Sequence, residues 1–407
     1  MIYVYLNLND NEINGYSNEH LERFQSQQEN RNPLRLVRHK NFFDFPRKTS
    51  GDQKYVFPIF LTGEPLKRGR TPFPKDFVFY IPDGVLSDVK SNICKIVFDY
   101  SGETYDCTHS NKFDLADHFV KNTMKAYNLE KNHVILLTGN YKAYKEKPYQ
   151  VCTVFKPIVL IPTATKELSQ QHKHNILNKK LRTYKVMSLM RHTRPHRIKF
   201  AYDVFYNGLK DGNLITCHLL VDKVTFIGQM NFIQELQDKN FFNTLPWTFD
   251  DPAGSFVAFL NTKEEENLYL DSYFNFVMET FIVPSSATNQ QYEMDISEKI
   301  FKPISRMQPF VVYGQAGTLE FLKSMGYKTF SPWLDESYDN IQNKDQRYEK
   351  IFNLFKKINA MPKTELNDML SEMLPTLEHN QTVYESYVNN KTYLNEFVTI
   401  LEHSFDK

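Results

Sequence analysis

In the last third of the chain, a serine that can cap a helix is followed by two side chains of opposite charge. In the stretch "DISEKIFKPI", Glu298 and Lys299 come directly after Ser297. An acid is favoured in the first turn of a helix, whereas the helix dipole opposes a lysine there. Because a locally unfavourable residue often has another task, we expect Lys299 to bind phosphate oxygens. Glu298 would then accept hydrogen bonds from ribose hydroxyls, as acids do in dinucleotide sites. The alternative is a surface ion pair worth less than about 1 kcal/mol.

A cluster of basic residues lies in the segment "MRHTRPHRIK", between a predicted strand and a predicted helix. Pro195 is a favoured first helical residue, so the backbone N–H groups that follow it can bind an anion. Arg191, Arg194, His196 and Arg197 crowd this corner, and arginine matches phosphate oxygens in a bidentate manner. The pattern predicts a diphosphate site, and the alternative is a basic cluster on a solvated turn.

Two glycines punctuate the stretch "YGQAGTLEFL", which joins a predicted strand to a predicted helix. Gly314 and Gly317 would allow the backbone to approach a ligand closely. The segment contains neither the complete glycine-rich dinucleotide fingerprint nor a phosphate-loop Gly-Lys-Ser/Thr. This argues against an NAD enzyme and against a P-loop ATPase.

Two acids in the N-terminal half are candidates for a general base. Asp99 and Glu103 lie just past a predicted strand in "FDYSGETYD", where a carboxylate would accept a proton from an acceptor hydroxyl. The alternative is that these are loop acids without a role, since 24% of the chain is charged. No zinc-ligand spacing and no Gly-x-Ser-x-Gly elbow occurs in the sequence, and the pattern requires no metal.

Strands and helices alternate along most of the chain, which predicts an α/β fold with parallel sheets. The expected strands are Met1–Leu8, Tyr55–Leu61, Cys94–Tyr100, His133–Gly139, Tyr184–Met190, Leu214–Leu220, Tyr273–Phe281 and Gln308–Tyr313. The expected helices are Leu115–Leu129, one from Pro195 to near Gly208 or Gly212, one after Gly317, and amphipathic helices in the last ~70 residues. The polar segment Lys166–Arg182 marks a seam between domains. We expect an N-terminal domain over 1–180, a second domain over 181–345 and C-terminal helices over 346–407.

A basic arm, defined as residues 31–75, breaks the overall charge balance of the chain. It contains eleven Lys and Arg residues against three Asp and Glu residues, whereas the whole chain has a net charge of +1. Phenylalanine and tyrosine are interleaved with these charges, a composition typical of nucleic-acid surfaces. A solvated basic face is the alternative. Four cysteines without metal spacing favour a reduced compartment, and neither a membrane span nor a signal peptide is predicted. We expect a soluble, cytoplasmic protein.

The C-terminal half resembles a known class of transferase. The stretches "ISEKIFKPI", "QPFVVYGQAGTLEFLKSMGYKTF" and "DESYDN" resemble the donor-binding half of glycosyltransferases with two facing Rossmann-like domains, the GT-B architecture. The nearest named relatives are the α1,3-fucosyltransferases, whose signature also carries a Glu-Lys pair at a helix start. "RHTRPHRI" resembles the diphosphate-binding junction of phage-type and bacterial transferases. The resemblance covers roughly Tyr184–Lys357.

This resemblance implies a nucleotide-diphosphate sugar as co-substrate, with no further cofactor and no metal. It implies that Glu298 contacts the ribose, that Lys299, Arg194 and Arg197 contact the phosphates, and that Glu103 is the base. With a base present, inversion at the anomeric carbon is expected, and retention stays open.

The acceptor is open between two classes. Arg68 and Arg70 in the basic arm are the candidate acceptor contacts. An Asn-, Lys-, Tyr- and Phe-rich composition favours an AT-rich viral or phage genome, in which case the host cytoplasm is the location. The acceptor is then a modified DNA base or a surface glycan. The alternative function is a catalytically inactive GT-B-like protein that binds nucleic acid with its basic arm.

Overall fold

The structure is a computed structural model. It describes residues 4–5, 54–60, 78–79, 81, 83–100, 115–139, 147–153, 166–190, 194–217, 239–245, 247, 263–279, 282, 296–390, 392 and 395–406. The strands are β1 (Val4–Tyr5), β2 (Tyr55–Phe60), β3 (Cys94–Tyr100), β4 (Val134–Thr138), β5 (Gln150–Thr153), β6 (Tyr184–Ser188), β7 (Leu214–Ile215), β8 (Ser272–Met278) and β9 (Phe310–Tyr313). The first helices are α1 (Asp83–Lys90), α2 (Leu115–Tyr127), α3 (Lys166–Leu177), α4 (Pro195–Tyr206), α5 (Lys239–Phe242) and α6 (Lys263–Asp271). The later helices are α7 (Glu298–Ser305), α8 (Thr318–Ser324), α9 (Lys344–Ala360), α10 (Lys363–Asn389) and α11 (Asn395–Phe405).

The chain forms two compact units, each with one parallel sheet and its helices. The first unit contains the described residues up to 153 together with α11, and the second contains those from 166 to 390. This division differs from the predicted ranges, because α3 belongs to the second unit rather than to the end of the first. The C-terminal helices are also shared, with α9 and α10 in the second unit and α11 in the first.

The first sheet contains five parallel strands in the order of the sequence, β1-β2-β3-β4-β5. Alternate residues of its strands face opposite ways, so each face has its own hydrophobic core. Ile96 and Phe98 of β3 pack with α1 and α2 on one face. Val97 packs on the other face with Phe397 and Leu401 of α11.

Helix α11 is fixed to this sheet by polar contacts as well as by its apolar side chains. The backbone oxygen of Phe405, at the end of α11, accepts hydrogen bonds from Lys54 Nζ at 3.2 Å and from Asn92 Nδ2 at 3.0 Å. Burial lowers the pKa of Lys95, whose ammonium group lies 5.0 Å from the centre of the Phe405 ring, to about 8.

The second sheet contains four parallel strands in the order β7-β6-β8-β9. The chain runs from β6 to β7 on one side and later reaches β8 on the opposite side of β6. The direction of winding therefore reverses between β6 and β8, whereas it does not reverse among the described strands of the first sheet. In open α/β sheets ligands bind beyond the carboxyl ends of the strands at such a switch point.

Aromatic side chains hold helices α4 and α9 against the second sheet. The ring centre of Phe355 in α9 lies 5.2 Å from Phe200 in α4 and 5.2 Å from Phe276 in β8. Helix α4 begins at Pro195, and its C-terminal end is followed by Gly208 with a φ of 64°. These features fix the N-terminus of α4 at the carboxyl end of β6.

Most of the predicted elements are confirmed, with three differences. The α/β class and the parallel β3-α2-β4 unit are as expected. The segment read as a seam is instead helix α3, with His172 and Ile176 buried. The strand expected over Leu214–Leu220 is described only as β7, and Cys217 forms an isolated antiparallel bridge with Trp247. The expectation that Asp99 lies beyond its strand is wrong, because Asp99 lies within β3.

No helix in the described ranges has the length and apolar character that a membrane crossing requires.

Candidate functional site

The candidate site lies at the carboxyl ends of β6, β8 and β9 in the second unit. Three chain segments meet there: the N-terminus of α4 after β6, the N-terminus of α7 after β8, and the turn between β9 and α8. Glu279, the first residue after β8, contacts all three. The structure therefore brings together the predicted Arg194, His196, Arg197, Glu298, Lys299, Gly314 and Gly317 at the switch point of this sheet.

The N-terminus of α7 carries a connected set of hydrogen bonds. The Ser297 hydroxyl donates to Glu279 Oε2 at 2.5 Å and accepts from Lys299 Nζ at 3.0 Å. Lys299 Nζ also donates to Glu298 Oε1 at 2.9 Å. An ammonium group has three hydrogens, so one hydrogen of Lys299 is left for a ligand oxygen. About a quarter of the Lys299 side chain is accessible to such a ligand.

Glu298 is held in its charged form by its neighbours. Burial alone would raise the pKa of this carboxyl. The adjacent Lys299 ammonium, a backbone hydrogen bond and Lys302 outweigh burial, so the pKa lies below its ordinary value. A charged carboxylate only accepts hydrogen bonds, and it therefore suits the hydroxyl groups of a ribose or a sugar.

Two arginines at the start of α4 have different surroundings. Arg197 is 3% exposed, and its guanidinium donates to the backbone oxygen of Met278 at 2.8 Å. Burial lowers its pKa to about 10, against the opposing effects of the Glu279 and Glu298 carboxylates. Arg197 is thus a buried cation whose charge interacts with the Glu279 and Glu298 carboxylates of the site. Arg194 precedes the first helical residue and is only partly buried, so it is the more accessible of the two.

His196 is a hydrogen-bond acceptor rather than a cation at neutral pH. Its Nε2 lies 2.9 Å from the backbone oxygen of Glu279, and because a carbonyl only accepts, Nε2 carries the proton. Burial first, and then the neighbouring cations Arg197, Arg194 and Lys344, lower its pKa to about 3. Nδ1 is therefore an unprotonated acceptor, which suits a ligand hydroxyl and does not attract phosphate.

The two glycines of the β9–α8 turn are needed for different reasons. A Cβ on Gly314 would lie 3.3 Å from Glu279 Cγ and 3.2 Å from Thr318 Oγ1, so this residue lets β9 pack closely on Glu279. Gly317 has a φ of 82°, in the left-handed region, and donates its N–H to the backbone oxygen of Asp339 at 2.8 Å. The Asp339 carboxylate accepts from the N–H groups of Leu319 and Glu320 and so caps α8. Since these amides already have acceptors, they are not available to a phosphate.

Replacing Gly317 by alanine should lower the free energy of unfolding by about 1–2 kcal/mol, because an L-residue is strained at this φ. Chemical denaturation of the variant measures this loss. Gly84→Ala is a matched control, since Gly84 lies in helix α1 and a Cβ there meets nothing within 4 Å. Alanine at position 84 should stabilise the chain by about 0.5–1 kcal/mol. Effects of the same sign in both variants would contradict the strain at Gly317.

Four predicted site residues, Asp99, Glu103, Arg68 and Arg70, belong to the first unit. Asp99 is 3% exposed, and it pairs in register with Phe60 of β2 and Leu137 of β4. Glu103, Arg68 and Arg70 lie outside the described residues, as does most of the basic arm. The roles of these four residues as base and as acceptor contacts stay predictions.

Glu279 was not predicted from the sequence. The stretch "YFNFVMET" reads as a strand that ends on an acid, the same signal that singled out Asp99. Applied to β8, this signal identifies the buried carboxylate at the centre of the site.

Among the residues that the structure describes, no group of three or more His, Cys, Asp or Glu side chains is arranged to hold a metal ion. Comparisons of the chain with protein-family models and with curated protein sequences give no significant match.

Proposed function

We propose that this protein is a glycosyltransferase that uses a nucleotide-diphosphate sugar as donor. The observation that carries the proposal is the meeting of Glu298, Lys299 and the α4 arginines at the switch point between β6 and β8. Such a position binds nucleotides in open α/β sheets. A charged carboxylate for hydroxyl groups and cations for phosphates are the two kinds of contact that a nucleotide sugar needs.

The donor would bind with its diphosphate between the N-termini of α4 and α7. Lys299 would donate its remaining ammonium hydrogen to a phosphate oxygen, and Arg194 would supply a second cation. Arg197, buried behind them, would add positive potential without direct contact. Glu298 and the Nδ1 atom of His196 would accept hydrogen bonds from donor hydroxyls.

Catalysis in this proposal is largely electrostatic. Negative charge grows on the leaving diphosphate as the glycosidic bond breaks, and the fixed cations offset it. A carboxylate accepts the proton of the attacking acceptor hydroxyl, with Glu103 and Asp99 as the candidates. The chemistry proposed requires no metal, and the acceptor is a glycan or a modified DNA base.

A thermal-shift screen against nucleoside diphosphates and nucleotide sugars tests the donor site. A ligand at 100 times its dissociation constant stabilises the folded state by about 2.7 kcal/mol. We expect stabilisation by one nucleotide class, and we expect Lys299→Ala to abolish most of it. Lys350→Ala is the control, because Lys350 is an exposed lysine of α9 that pairs with Asp335 and should not change the shift.

Failure of every nucleotide to stabilise the wild-type protein would contradict the transferase proposal. The nucleic-acid-binding alternative would then be favoured if duplex DNA bound in a salt-sensitive way. For an active transferase, the same DNA titration distinguishes the acceptors, since an enzyme acting on glycans should bind no duplex DNA at physiological salt.

A further inference from the structure

We propose that Glu279 is a positioning residue, whose carboxylate orients the ammonium group of Lys299 through the hydroxyl of Ser297. This inference rests on the proposed donor site and assigns to that site a residue that contacts no substrate. It concerns a glutamate whose side chain is fully buried, with 0% exposure, at the end of β8.

The first observation is the direction of the hydrogen bonds around Ser297. The carboxylate of Glu279 accepts both from the Ser297 N–H at 3.1 Å and from the Ser297 hydroxyl. Because the hydroxyl proton is used in this way, the lone pairs of Ser297 Oγ face Lys299 and accept from its Nζ. Glu279 therefore decides which way the Ser297 hydroxyl points, and the hydroxyl holds one hydrogen of Lys299.

The second observation is that the ammonium group of Lys299 is held on two sides. Ser297 Oγ takes one hydrogen and Glu298 Oε1 takes another. The third hydrogen is then fixed in direction, and a preorganised donor binds an anion with a smaller entropy cost. Lysine side chains otherwise have about 2 kcal/mol of rotamer entropy.

The third observation is that Glu279 is fixed from the other elements of the site. Its backbone oxygen accepts from His196 at the start of α4, and its N–H donates to Tyr313 O of β9 at 3.0 Å. Gly314 packs against its Cγ atom. The backbone of Glu279 is thus fixed by α4 and β9, while its carboxylate binds Ser297 at the start of α7, so this residue connects the elements that carry the proposed ligand contacts.

Glu279→Gln is the variant that tests this role, because glutamine keeps the shape of the side chain. Its amide oxygen can still accept from the Ser297 N–H, but its NH₂ group cannot accept from the Ser297 hydroxyl. The hydroxyl must turn, and Lys299 loses one of its two anchors. We expect pyrophosphate and the cognate nucleoside diphosphate to bind roughly tenfold more weakly, the effect of one charge-assisted hydrogen bond. The free nucleoside should bind as it does to the wild type, because it contains no phosphate.

A second readout does not depend on any nucleotide. Acylation of Lys299 by acetic anhydride, followed by peptide mass analysis, reports how firmly its amine is held. Relative to Lys357, an exposed lysine of α9, we expect Lys299 to react about fivefold faster in Glu279→Gln than in the wild type.

Two serine variants serve as partner and control. Ser297→Ala should weaken pyrophosphate binding as Glu279→Gln does, and the double variant should be no worse than either single one, since both break the same chain of contacts. Ser305→Ala removes a buried hydroxyl from the other end of α7, where Ser305 Oγ donates to Lys302 O and accepts from Arg306 Nη1, and should leave both readouts unchanged.

The outcomes separate this inference from the proposed function. Unchanged or tighter pyrophosphate binding in Glu279→Gln, or an unchanged acylation rate of Lys299, would overturn the positioning role. A faster acylation rate together with a wild-type protein that binds neither nucleotide nor pyrophosphate would overturn the proposed function, and with it the role of Glu279 in ligand binding.

Discussion

Replacing Arg197 by methionine should lower the free energy of unfolding by about 3–5 kcal/mol, the loss typical when one partner of a buried charge pair is removed. Arg197 is a buried cation, and the carboxylates of Glu279 and Glu298 lie near enough to favour its charged form. Methionine leaves the fully buried Glu279 without this compensation. It also leaves the backbone oxygen of Met278 without its donor. Urea denaturation at pH 7 measures the loss, and the thermal-shift response to nucleotides should fall with it.

The comparison for Arg197→Met is Lys199→Met in the same helix. Lys199 pairs with Asp203 at 2.9 Å, but nearly half of its side chain is exposed, so the expected loss is below about 1 kcal/mol. Adding Glu279→Gln to Arg197→Met should restore part of the stability, since the uncompensated charge is removed. Equal losses for Arg197→Met and Lys199→Met would show that the buried charges are not coupled.

Replacing His172 by leucine should make the second unit less sensitive to acid. His172 is 1% exposed in helix α3, and neither ring nitrogen has a hydrogen-bond partner among the residues that the structure describes. Burial first, and then the nearby Arg182, hold its pKa well below the ordinary value, although the backbone of Arg306 favours the charged form. The imidazole is therefore neutral in the folded state at pH 7.

The direction of the pH effect follows from proton binding. In the unfolded chain His172 titrates near pH 6.5, whereas in the folded chain it titrates far lower, so below pH 6.5 the unfolded state binds the extra proton. The stability that the neutral His172 contributes is fully present well above pH 6.5 and is lost progressively as the pH falls below it. As the pH falls below 6.5, His172→Leu should therefore lose less of its free energy of unfolding than the wild type. His196, whose pKa in the folded state is about 3, lowers the free energy of unfolding at acid pH in the same way, and His172→Leu retains this effect.

Chemical denaturation at a series of pH values measures this difference. His174→Leu is the control, because His174 lies in the same helix but is exposed to solvent. This variant should leave the pH dependence of stability unchanged. Parallel pH profiles for the wild type and His172→Leu would mean that His172 is protonated, or reached by water, in the folded protein.

The parts of the fold that the sequence predicted are those that depend on local pattern. The buried run of β3 and the proline at the start of α4 each fix an element without help from distant residues. Helix α3 was missed because two of its four buried positions are polar, namely His172 and Asn175. Hydropathy therefore concealed the helical spacing of its inner face. The return of α11 to the first unit depends on tertiary packing, which sequence order does not encode.

Several residues of the candidate site were singled out from the sequence, whereas Glu279 and the geometry of the site were not. The Glu-Lys pair and the arginines were identified because charged residues at helix starts and strand ends are chemically informative. The order of the second sheet, which brings α4 and α7 to one edge, follows from the crossovers between strands and has no local signature. The tautomer of His196 likewise required the distance to the Glu279 carbonyl.

The position of α11 has a consequence for how the protein is made. Val97, Ile135 and Leu137 of the first sheet are translated long before Phe397 and Leu401, which cover them. While the ribosome adds the second unit, α11 has not yet been made. This face of the nascent sheet then lacks the helix that covers it and is accessible to water, chaperones and other nascent chains. The N-terminal unit therefore cannot complete its core during its own synthesis, and a chain released before α11 would leave the ribosome with an apolar surface exposed.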